Sequence, residues 1–599
     1  MTRHDHEKEM GALRSDFFRF GRRADGSYGI PDGPPPPLVS ILGEGQIGGK
    51  ARGLLFVLQE MESGNVVPEY QHLLRFPRST VLATELFDDF MTENALGDVV
   101  QAGCEKRIDL AEIRARFFAA RFPEHWKNEL GHVLAVHHGP LVVRSSSVME
   151  DDPDHSFAGI YLSEFLPNRG STENRLDRVI EAVKAVYAST FGPNARAYRK
   201  RHHLPWQEEK MAILIQDMVG SHYSHDLFYP LVAGVSFSRN YYPWTSELAP
   251  EDGTVRLVVG TGTRAVGREY ARVFSVARPG LRPEGNDVRT IVQNSQETVD
   301  VLDLRVGHLA QRKLGELDNP LLAKICMIAH DDETLRTPSS SLTMLSSSNR
   351  LVASFDRLIS GTQIMPFTPL VRGLMAFLEN LLGLSVDVEF AVDFPVSDDG
   401  GADPQFYLLQ VRPLGARRAN RRIRIPPIPR KRVLLNCHRV LGNGIRRGIR
   451  HVVYVDPSAY RHDQGYAIAR TVGRIDESLD DEPYILIGPG RWASSNPQLG
   501  VPVQYGEIIG AAVIVEMSTE GFSPEFSYGT HFYADMVASE VLYLPFYESE
   551  GDWLNRNLLQ RQQTVYRGEF VAHYVMPSGL KVYVDGAGRR GVIALSLKG

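Results

Sequence analysis

Runs of apolar residues predict alternating strands and helices over much of the chain. Leu38–Leu42 is a short apolar run typical of a strand, and Met211–Val219 is a near-continuous apolar run that ends in a polar step. Mostly helical structure is expected over residues 85–135 and 296–380, with a long amphipathic helix at 172–201. Another helix presents one apolar face at Ile47, Ala51, Leu54, Leu55, Leu58 and Met61. The pattern predicts an α/β (α+β) protein.

One stretch combines an apolar run with polar chemistry. Pro140–Val143 reads as a strand that delivers Arg144 and the hydroxyls of Ser145, Ser146 and Ser147 into a polar loop. A guanidinium beside hydroxyls suits a polyphosphate, because the planar fork binds phosphate oxygens bidentately. The alternative is a serine-capped helix with Glu150 in its first turn. The stretch alone leaves both interpretations open.

Two later strands also lead into arginines. Val232–Ser238 ends at Arg239, and Val255–Val259 runs into the glycine- and threonine-containing loop Gly260–Gly267, which carries Arg264. Glycine, hydroxyls and arginine after a strand repeat the chemistry around Arg144.

Acidic and apolar residues alternate in Ser385–Val392. At a strand period of two, Asp387 and Glu389 share one face. Gln405–Pro413 is the expected hairpin partner and would bring Gln410 to them. Carboxylate and amide oxygens suit Mg²⁺ beside nucleotide phosphates. The alternative is an exposed strand face without a ligand.

Gly43, Gly45 and Gly48 form a GxGxxG pattern between a strand and a helix. A dinucleotide fold would require an acidic residue at the end of the next strand, and Ser79–Leu82 is not followed by one. The competing interpretation is that Lys50, at the helix start, reaches an anion.

Composition adds few constraints. The chain has 599 residues, a net charge of −6 and three cysteines without CxxC spacing, so several domains in a reducing compartment are expected and nucleic acid is not indicated. The polar start lacks a signal peptide, and no apolar run is long enough for a membrane span, so we expect a cytoplasmic protein.

The expected organisation follows from these boundaries. Residues 1–37 form a flexible leader, 38–210 and 211–414 form two lobes, 415–432 form a basic proline-rich linker, and 433–599 form a smaller α/β domain. In that last domain, Gly488–Arg491 is either an anion-binding turn or a plain tight turn.

Several of these motifs, in this order, resemble the nucleotide-binding region of the phosphoenolpyruvate synthase and pyruvate phosphate dikinase family. The resemblance covers roughly residues 40–415. The matching pieces are Gly48–Lys50, Pro77–Thr84 with Phe90, Val143–Gly159, Gln216–Val219, Gly234–Asn240, Asp387–Glu389 and Leu409–Pro413.

The resemblance implies an ATP-grasp fold of two lobes that binds ATP and Mg²⁺. Lys50, Arg144 and the adjoining Ser145 and Ser146 would face the phosphates. The remaining implied site residues are Gln216, Met218 and Val219 at the adenine hinge, Arg239 and Arg264 over the nucleotide, and Asp387, Glu389 and Gln410 on the metal side, with Asp387 also counted as nucleotide-binding. The loop after Val259 reads Gly260-Thr261-Gly262-Thr263-Arg264 and departs from the family's Gly-Leu-Gly-Glu pattern.

The family also passes the phosphoryl group to a histidine on a swivelling domain. Its Gly-Gly-x-(Thr/Ser)-Ser-His signature is missing, but Gly529-Thr530-His531 looks like a divergent version. His531 is therefore the expected carrier, with a structural histidine as the alternative; His438, His451 and His462 are weaker rivals. The paired histidines His137-His138 and His202-His203 are expected to be solvated. No stretch is long enough for the family's acceptor barrel.

Three functional hypotheses fit these residues. The first is a dikinase-type phosphotransferase that converts ATP to AMP through phosphohistidine and serves a small-molecule or protein acceptor. The second is an ATP-grasp kinase that acts directly on its acceptor. The third is an ATP-binding regulatory protein without catalysis. A homodimer is left open, and neither a membrane nor nucleic acid is expected as a partner.

Overall fold

The computed structural model describes residues 21–22, 28–29 and 38–596 with internal gaps. The gaps are 63–65, 105–107, 151–160, 193–194, 197, 200–203, 224–225, 241–246, 267–270, 284, 331–333, 339–349, 362–363, 396–402, 415–422, 439, 441–442, 481, 495, 523–525, 528–531, 533–535, 537–540 and 587. Among the described residues, no helix has the length and apolarity needed to cross a bilayer.

The chain divides into two compact units. The first contains residues 1–192, 207–266 and 270–414, and the second contains 193–206, 267–269 and 415–599. Each unit combines helices with β-sheet, which confirms the α/β class. Within the expected leader, Gly21–Arg22 pairs with Tyr28–Gly29, and the rest lies outside the described residues.

One sheet, the first sheet, is built from the apolar runs of the amino-terminal part. Its strands in spatial order are Val39–Leu42, Ser79–Leu82, Met211–Asp217, Leu141–Ser147 and Ser163–Leu166. Met211–Asp217 is central because it is apolar on both faces. Both strands that pair with Met211–Asp217 come before residue 211 in the chain. The lobe boundary expected at 210/211 therefore runs through the first sheet.

The polar stretch around Arg144 is itself strand. Arg144 pairs with Leu214, and the three serines continue the same antiparallel ladder as far as the Ser147 pair with Met211. The expectation of a loop starting at Arg144 is wrong, because ladder pairing continues through the serines. The capped-helix alternative is also wrong for the described residues up to Glu150, which lies in a turn.

A second sheet contains the predicted hairpin. Its strands in spatial order are Arg272–Phe274, Thr254–Val258, Val232–Phe237, Ser385–Asp393, Gln405–Leu414 and Leu74–Arg75. The hairpin register breaks once, between Glu389 and Phe390. Phe390 stacks on Phe406 with ring centroids 4.9 Å apart, and Phe367 from a covering helix packs on both.

Residues 296–352 differ from expectation. A third sheet is formed by Ser221–His222, Leu227–Tyr229, Thr298–Asp303 and His308–Lys313, and a small sheet by Met327–Ala329, Leu335–Arg336 and Arg350–Val352. Among the described residues of 296–380, the helical expectation is met by the α-helices Asp356–Ile359 and Phe367–Leu382 and by short 3₁₀ helices at Leu314–Glu316 and Pro320–Lys324. Thr298–Asp303 alternates intermediate and buried positions at its start, which is a strand period.

The remaining helices of the first unit surround these sheets. The helical expectation for 85–135 is confirmed, whereas the helix expected at 172–201 ends at Ser189. Their bounds are Gly48–Glu62, Thr84–Glu93, Leu96–Cys104, Leu110–Ala119, Glu124–Leu134, Thr172–Ser189, Thr263–Val266 and Val288–Gln293.

The second unit is organised on one mixed sheet. Its strands in spatial order are Leu542–Tyr547, Ala511–Ser518, Tyr484–Pro489, Asn443–Val455, Val571–Asp585, Arg590–Leu595, Val433–Cys437 and Trp553–Leu554, with Gln563–Arg567 also pairing with Val571–Asp585. The first four of these strands are parallel. This unit also contains the α-helices Gly465–Ser478 and Arg556–Gln560 and the strand pair Arg491–Trp492 with Gly500–Val501. Short 3₁₀ helices are described at Arg430–Arg432, His462–Gln464, Tyr505–Glu507 and Glu548–Glu550.

Candidate functional site

Arg144 joins the first sheet to the second. Its Nη2 donates to Glu389 Oε2 at 2.7 Å and to Gln410 Oε1 at 2.8 Å. Its Nη1 lies 3.4 Å from Gln216 Oε1, and Gln216 Nε2 donates to Ser79 Oγ at 3.2 Å. One guanidinium therefore holds a carboxylate and an amide from two neighbouring strands of the other sheet.

The hairpin register explains why Glu389 and Gln410 converge. The two residues are directly opposite each other on antiparallel strands, and Val235 flanks Glu389 on the other side. Directly opposite side chains on one sheet face lie about 5 Å apart at Cβ. The bulge after Glu389 bends the strand at this point. The predicted approach of these two side chains is present in the structure.

Asp387 is engaged differently. It lies opposite Arg412, whose Nε lies 3.1 and 3.0 Å from the two Asp387 oxygens and whose Nη2 also donates to Oδ2. Both side chains are buried. Arg412 therefore already balances the Asp387 charge, whereas Glu389 is balanced by Arg144.

Lys50, in the first turn of the helix Gly48–Glu62, forms a second cluster against the strand that carries Arg144. Its Nζ donates to Glu150 Oε1 at 2.5 Å and to Ser145 Oγ at 2.8 Å. Lys50 and Glu150 are both buried. Ser145 follows Arg144 directly, so consecutive residues of one strand anchor the two clusters.

The glycine pattern serves helix packing. Gly48 has a φ of 76°, and a Cβ at this position would lie 1.6 Å from the Ser146 carbonyl oxygen. Ser146 Oγ donates to the Ile47 carbonyl oxygen and accepts from the Ala51 N–H. Only glycine allows the helix start to approach the strand this closely, and the approach brings Lys50 to the strand.

The segment after the central strand turns toward the third sheet. Met218 N donates to the Pro140 carbonyl oxygen at 2.7 Å, and Asp217 N donates to the Arg78 carbonyl oxygen. The Met218 side chain is buried in a small apolar cluster, and Val219 is half-buried beside it. This segment follows Gln216, so it is connected to the Arg144 cluster through one strand.

Arg239 pairs with two glutamates. Its Nη1 lies 3.2 Å from Glu251 Oε1, and its Nε lies 3.5 Å from Glu379 Oε1. Arg264 is buried, and its Nε donates to Asp300 Oδ1 at 2.8 Å. The structure therefore places these two arginines on acids other than Glu389.

His137 was missed by the sequence reasoning. The expectation that it is solvated is wrong, because the side chain is fully buried. Its Nδ1 lies 2.6 Å from Asp217 Oδ1, and its Nε2 lies 3.0 Å from Thr80 Oγ1, which contacts Ser40 Oγ. These partners lie on three strands of the first sheet, so no local pattern could have identified them.

In the second unit, His531 lies outside the described residues. Its rival His438 is exposed, and its Nδ1 lies 2.7 Å from the buried carboxylate of Asp552. Asp552 also accepts from the His438 and Tyr547 N–H groups. His462 Nδ1 is 3.2 Å from the Pro497 carbonyl oxygen, as in a loop contact.

His451 belongs to a chain of polar contacts on the mixed sheet. Its Nδ1 is 2.9 Å from His573 Nε2, and its Nε2 is 2.8 Å from Glu482 Oε2. Burial, followed by the nearby His451, lowers the pKa of His573 to about 4. His573 is therefore neutral at pH 7.

The turn at Gly488–Arg491 is tied to a buried glutamate. Glu516 accepts from the N–H of Trp492, from both the N–H and the hydroxyl of Ser527, and from the Tyr543 hydroxyl. Burial raises the pKa of Glu516, and the hydrogen bonds oppose this shift. Arg491 is itself buried, so the structure favours a structural turn here over an open anion site.

Within the described ranges, no three histidine, cysteine or acidic side chains are grouped to hold a metal ion. Glu389 and Gln410 offer one carboxylate and one amide oxygen. Mg²⁺ is commonly held by one or two carboxylates together with substrate phosphates and water. This donor pair therefore fits a cation that arrives with a phosphate ligand.

Comparison with known proteins agrees with this arrangement. A model of the family described as pyruvate phosphate dikinase, AMP/ATP-binding domain, matches residues 44–428. The matched range includes Lys50, Arg144, Glu389 and Gln410.

Individual relatives are more distant. The chain is 25% identical over 352 residues to a phosphoenolpyruvate synthase of Pseudomonas aeruginosa, covering 56% of this chain and 37% of that protein. It is 27% identical over 199 residues to the phosphoenolpyruvate synthase of Aeropyrum pernix, covering 30% of this chain and 22% of that protein. The chain thus spans well under half the length of these curated relatives.

Proposed function

The chain belongs to the pyruvate phosphate dikinase AMP/ATP-binding domain family, and we propose that it is an ATP-dependent phosphotransferase of the dikinase type. The observation that carries this proposal is the Arg144 guanidinium, which holds Glu389 and Gln410 between two sheets of an α/β unit. A cation, a carboxylate and an amide at one point are the parts that a metal–polyphosphate site needs.

The proposed roles follow from the two clusters. Lys50 and Arg144 bind phosphate oxygens, and the Ser145 hydroxyl holds the Lys50 ammonium. Ser146 acts through the helix start that it anchors. The adenine site is proposed beside Gln216–Val219. In phosphoryl transfer most of the rate enhancement comes from positioning and charge neutralisation, which is what these side chains supply.

Glu389 and Gln410 are the proposed Mg²⁺ ligands. Bound Mg²⁺ would neutralise phosphate charge and help to orient the transferring group. Arg144 now occupies the same two oxygens, so the guanidinium must release at least one of them when a cation binds. The freed N–H groups of Arg144 would then donate to a phosphate oxygen, so that its ion pair with Glu389 would be replaced by an ion pair with phosphate.

Asp387 has a supporting role in this proposal. Its carboxylate is held by Arg412 on the neighbouring strand, which fixes the hairpin beside Glu389. Arg239 and Arg264 are expected from the resemblance to close over the nucleotide. Their acidic partners lie outside the cluster of Arg144, Glu389 and Gln410, so we propose both arginines as peripheral to the phosphate site.

The onward step is proposed on the basis of family membership. His531 would accept the pyrophosphoryl group of ATP, so that the nucleotide leaves as AMP. Water would then release the terminal phosphate as inorganic phosphate, and a small-molecule or protein acceptor would receive the phosphoryl group that stays on His531. The exposed His438, oriented by Asp552, is the alternative acceptor within the second unit.

Product analysis tests the function. Incubation with Mg-ATP should give AMP and an acid-labile, base-stable phosphoenzyme that is lost in His531→Ala. ADP without a phosphoenzyme would instead support a kinase that acts directly on its acceptor. Nucleotide binding with neither product would leave only the regulatory hypothesis.

A further inference from the structure

Glu150 is a buried carboxylate beside the proposed phosphate site, and no functional role is expected for it from the sequence. Oε1 accepts from Lys50 Nζ and lies 3.3 Å from Ser145 Oγ. Oε2 accepts from the Ser147 N–H at 3.2 Å, and the Glu150 N–H donates back to the Ser147 carbonyl oxygen. The carboxylate therefore closes the turn after the strand and holds the lysine at the same time.

A second buried glutamate provides a natural comparison. Glu209 accepts from Ser147 Oγ and from the Tyr161 hydroxyl. Ser145 and Ser147 lie two residues apart on one strand, so their side chains share a face. Both glutamates thus accept a hydroxyl from the same strand face, and Glu150 differs in holding Lys50.

The lysine needs such a partner in order to act from a fixed point. Its ammonium sits on a flexible four-carbon stem and has three N–H donors. Glu150 and Ser145 take two of these donors. Within the described part of the chain no third acceptor contacts Lys50 Nζ, which leaves this donor for a ligand oxygen in a direction set by the other two.

We propose that Glu150 is a positioning residue that, with Ser145, aims the Lys50 ammonium at the transferring phosphoryl group. The inference rests on the proposed phosphotransfer. A fixed ammonium requires no reorganisation when charge develops, so its contribution is larger in the transition state than in the bound ground state. Glu150 therefore acts through Lys50 and does not touch the substrate.

Chemical labelling tests the positioning without any turnover. Trace acetic anhydride is applied to the folded wild-type chain, Glu150→Gln, Ser145→Ala and Glu209→Gln, and acylation of Lys50 is followed by mass spectrometry. The Lys50 rate should rise about threefold or more in Glu150→Gln, and less in Ser145→Ala, because a freed lysine samples more exposed positions. Glu209→Gln should match the wild type.

Ser145→Ala keeps the test decisive if Glu150→Gln does not fold, because it removes one Lys50 contact without neutralising a buried charge. An unchanged Lys50 rate in the folded variants would overturn the proposal. An equal rise in Glu209→Gln would also overturn it, because the effect would then be general loosening of the strand.

Kinetics test the consequence for the reaction. Glu150→Gln should lower kcat for ATP consumption by about ten- to a hundredfold while the Kd for ATP changes less than about threefold. Glu209→Gln should keep the wild-type kcat per folded molecule. Equal kcat losses in Glu150→Gln and Glu209→Gln would show that Glu150 only supports the local structure and does not position Lys50.

Failure of the proposed function has a different signature. If the wild-type chain neither binds nor consumes ATP, the proposed phosphotransferase function is wrong. The proposed effect of Glu150 on the reaction is then wrong as well. The labelling result still decides whether Glu150 holds Lys50. If the wild type consumes ATP, and Glu150→Gln has the wild-type Lys50 acylation rate and the wild-type kcat, the positioning role is wrong while the proposed function stands.

Discussion

The regions around Arg144 and Arg264 use similar residues for different purposes. Arg144 shares one nitrogen between Glu389 and Gln410, and both Arg144 and Glu389 keep some exposure, at 13% and 19% of their side chains. Arg264 is 5% exposed and donates to Asp300, which also accepts from Thr263. We propose that the first region exchanges these partners with a ligand, whereas the contacts of Arg264 hold its loop to the strand of Asp300.

Backbone packing deepens the contrast. Gly260 has a φ of 89°, and a Cβ there would lie 2.5 Å from the Asp300 carbonyl oxygen. The loop with Arg264 is thus pressed against the strand that carries its partner. We infer that burial of an arginine beside a strand does not by itself mark a ligand site, and that the exchangeability of its partners is the better criterion.

The largest expected effect separates the two arginines by activity. Arg144→Met should lower kcat/KM for ATP consumption by about a thousandfold, because a charged donor aimed at the transferring group is lost. Arg264→Met should lower it less than about tenfold per folded molecule. Steady-state assays at matched folded concentration check this. Similar losses of kcat/KM in both variants would mean that Arg144 and Arg264 do not differ in their importance for the reaction.

Stability should show the opposite order. Arg264→Met leaves the largely buried Asp300 carboxylate without its arginine and should lower the free energy of unfolding of the first unit by about 2–4 kcal/mol. Arg144→Met should cost less, about 1 kcal/mol, because the Arg144 side chain is 13% exposed against 5% for Arg264, whereas the two acids are almost equally exposed, at 19% and 17%. Urea unfolding, followed by a probe within the first unit, measures both. A larger loss for Arg144→Met would contradict the comparison.

Cation binding without nucleotide should respond to only one arginine. Arg144→Met should tighten Mn²⁺ binding about tenfold, because the guanidinium no longer competes for Glu389 and Gln410. Arg239→Met, just after the strand Val232–Phe237 of the second sheet, removes the same charge but should change Mn²⁺ affinity less than about twofold. Electron paramagnetic resonance of free Mn²⁺ follows the titration. Equal changes in both variants would indicate a general charge effect.

The smallest effect concerns one hydroxyl. Thr263→Val removes a donor to Asp300 and should lower the free energy of unfolding by about 1 kcal/mol without changing kcat. Thermal unfolding and a single kinetic assay suffice. A clear loss of kcat would mean that the loop near Arg264 takes part in the reaction.

Local patterns predicted the parts of the fold that depend on neighbouring residues. The alternation at Asp387 and Glu389 predicted a strand, and its partner with Gln410 followed from the hairpin. Residues 296–352 were predicted incorrectly, although Thr298–Asp303 shows the alternation of a strand. The alternation in this segment indicates a strand, and the prediction of helix for the whole range did not take it into account.

Other features depend on distant residues. Arg144 and Glu389 are 245 positions apart, and His137 and Asp217 are 80 apart. The pattern around Arg264 looks the same in sequence as that around Arg144, because the acid that each arginine meets is set by sheet topology. The family resemblance supplied the association of Arg144 with Glu389, and composition and spacing could not.

The Mg²⁺ dependence of nucleotide binding tests the central claim most directly. Affinity for a non-hydrolysable ATP analogue is measured by calorimetry with and without Mg²⁺ in the wild type, Glu389→Gln and Asp300→Asn. We expect Mg²⁺ to tighten binding by about tenfold or more in the wild type and in folded Asp300→Asn, and to have almost no effect in Glu389→Gln. Full Mg²⁺ enhancement in Glu389→Gln would contradict a metal–phosphate site at Arg144.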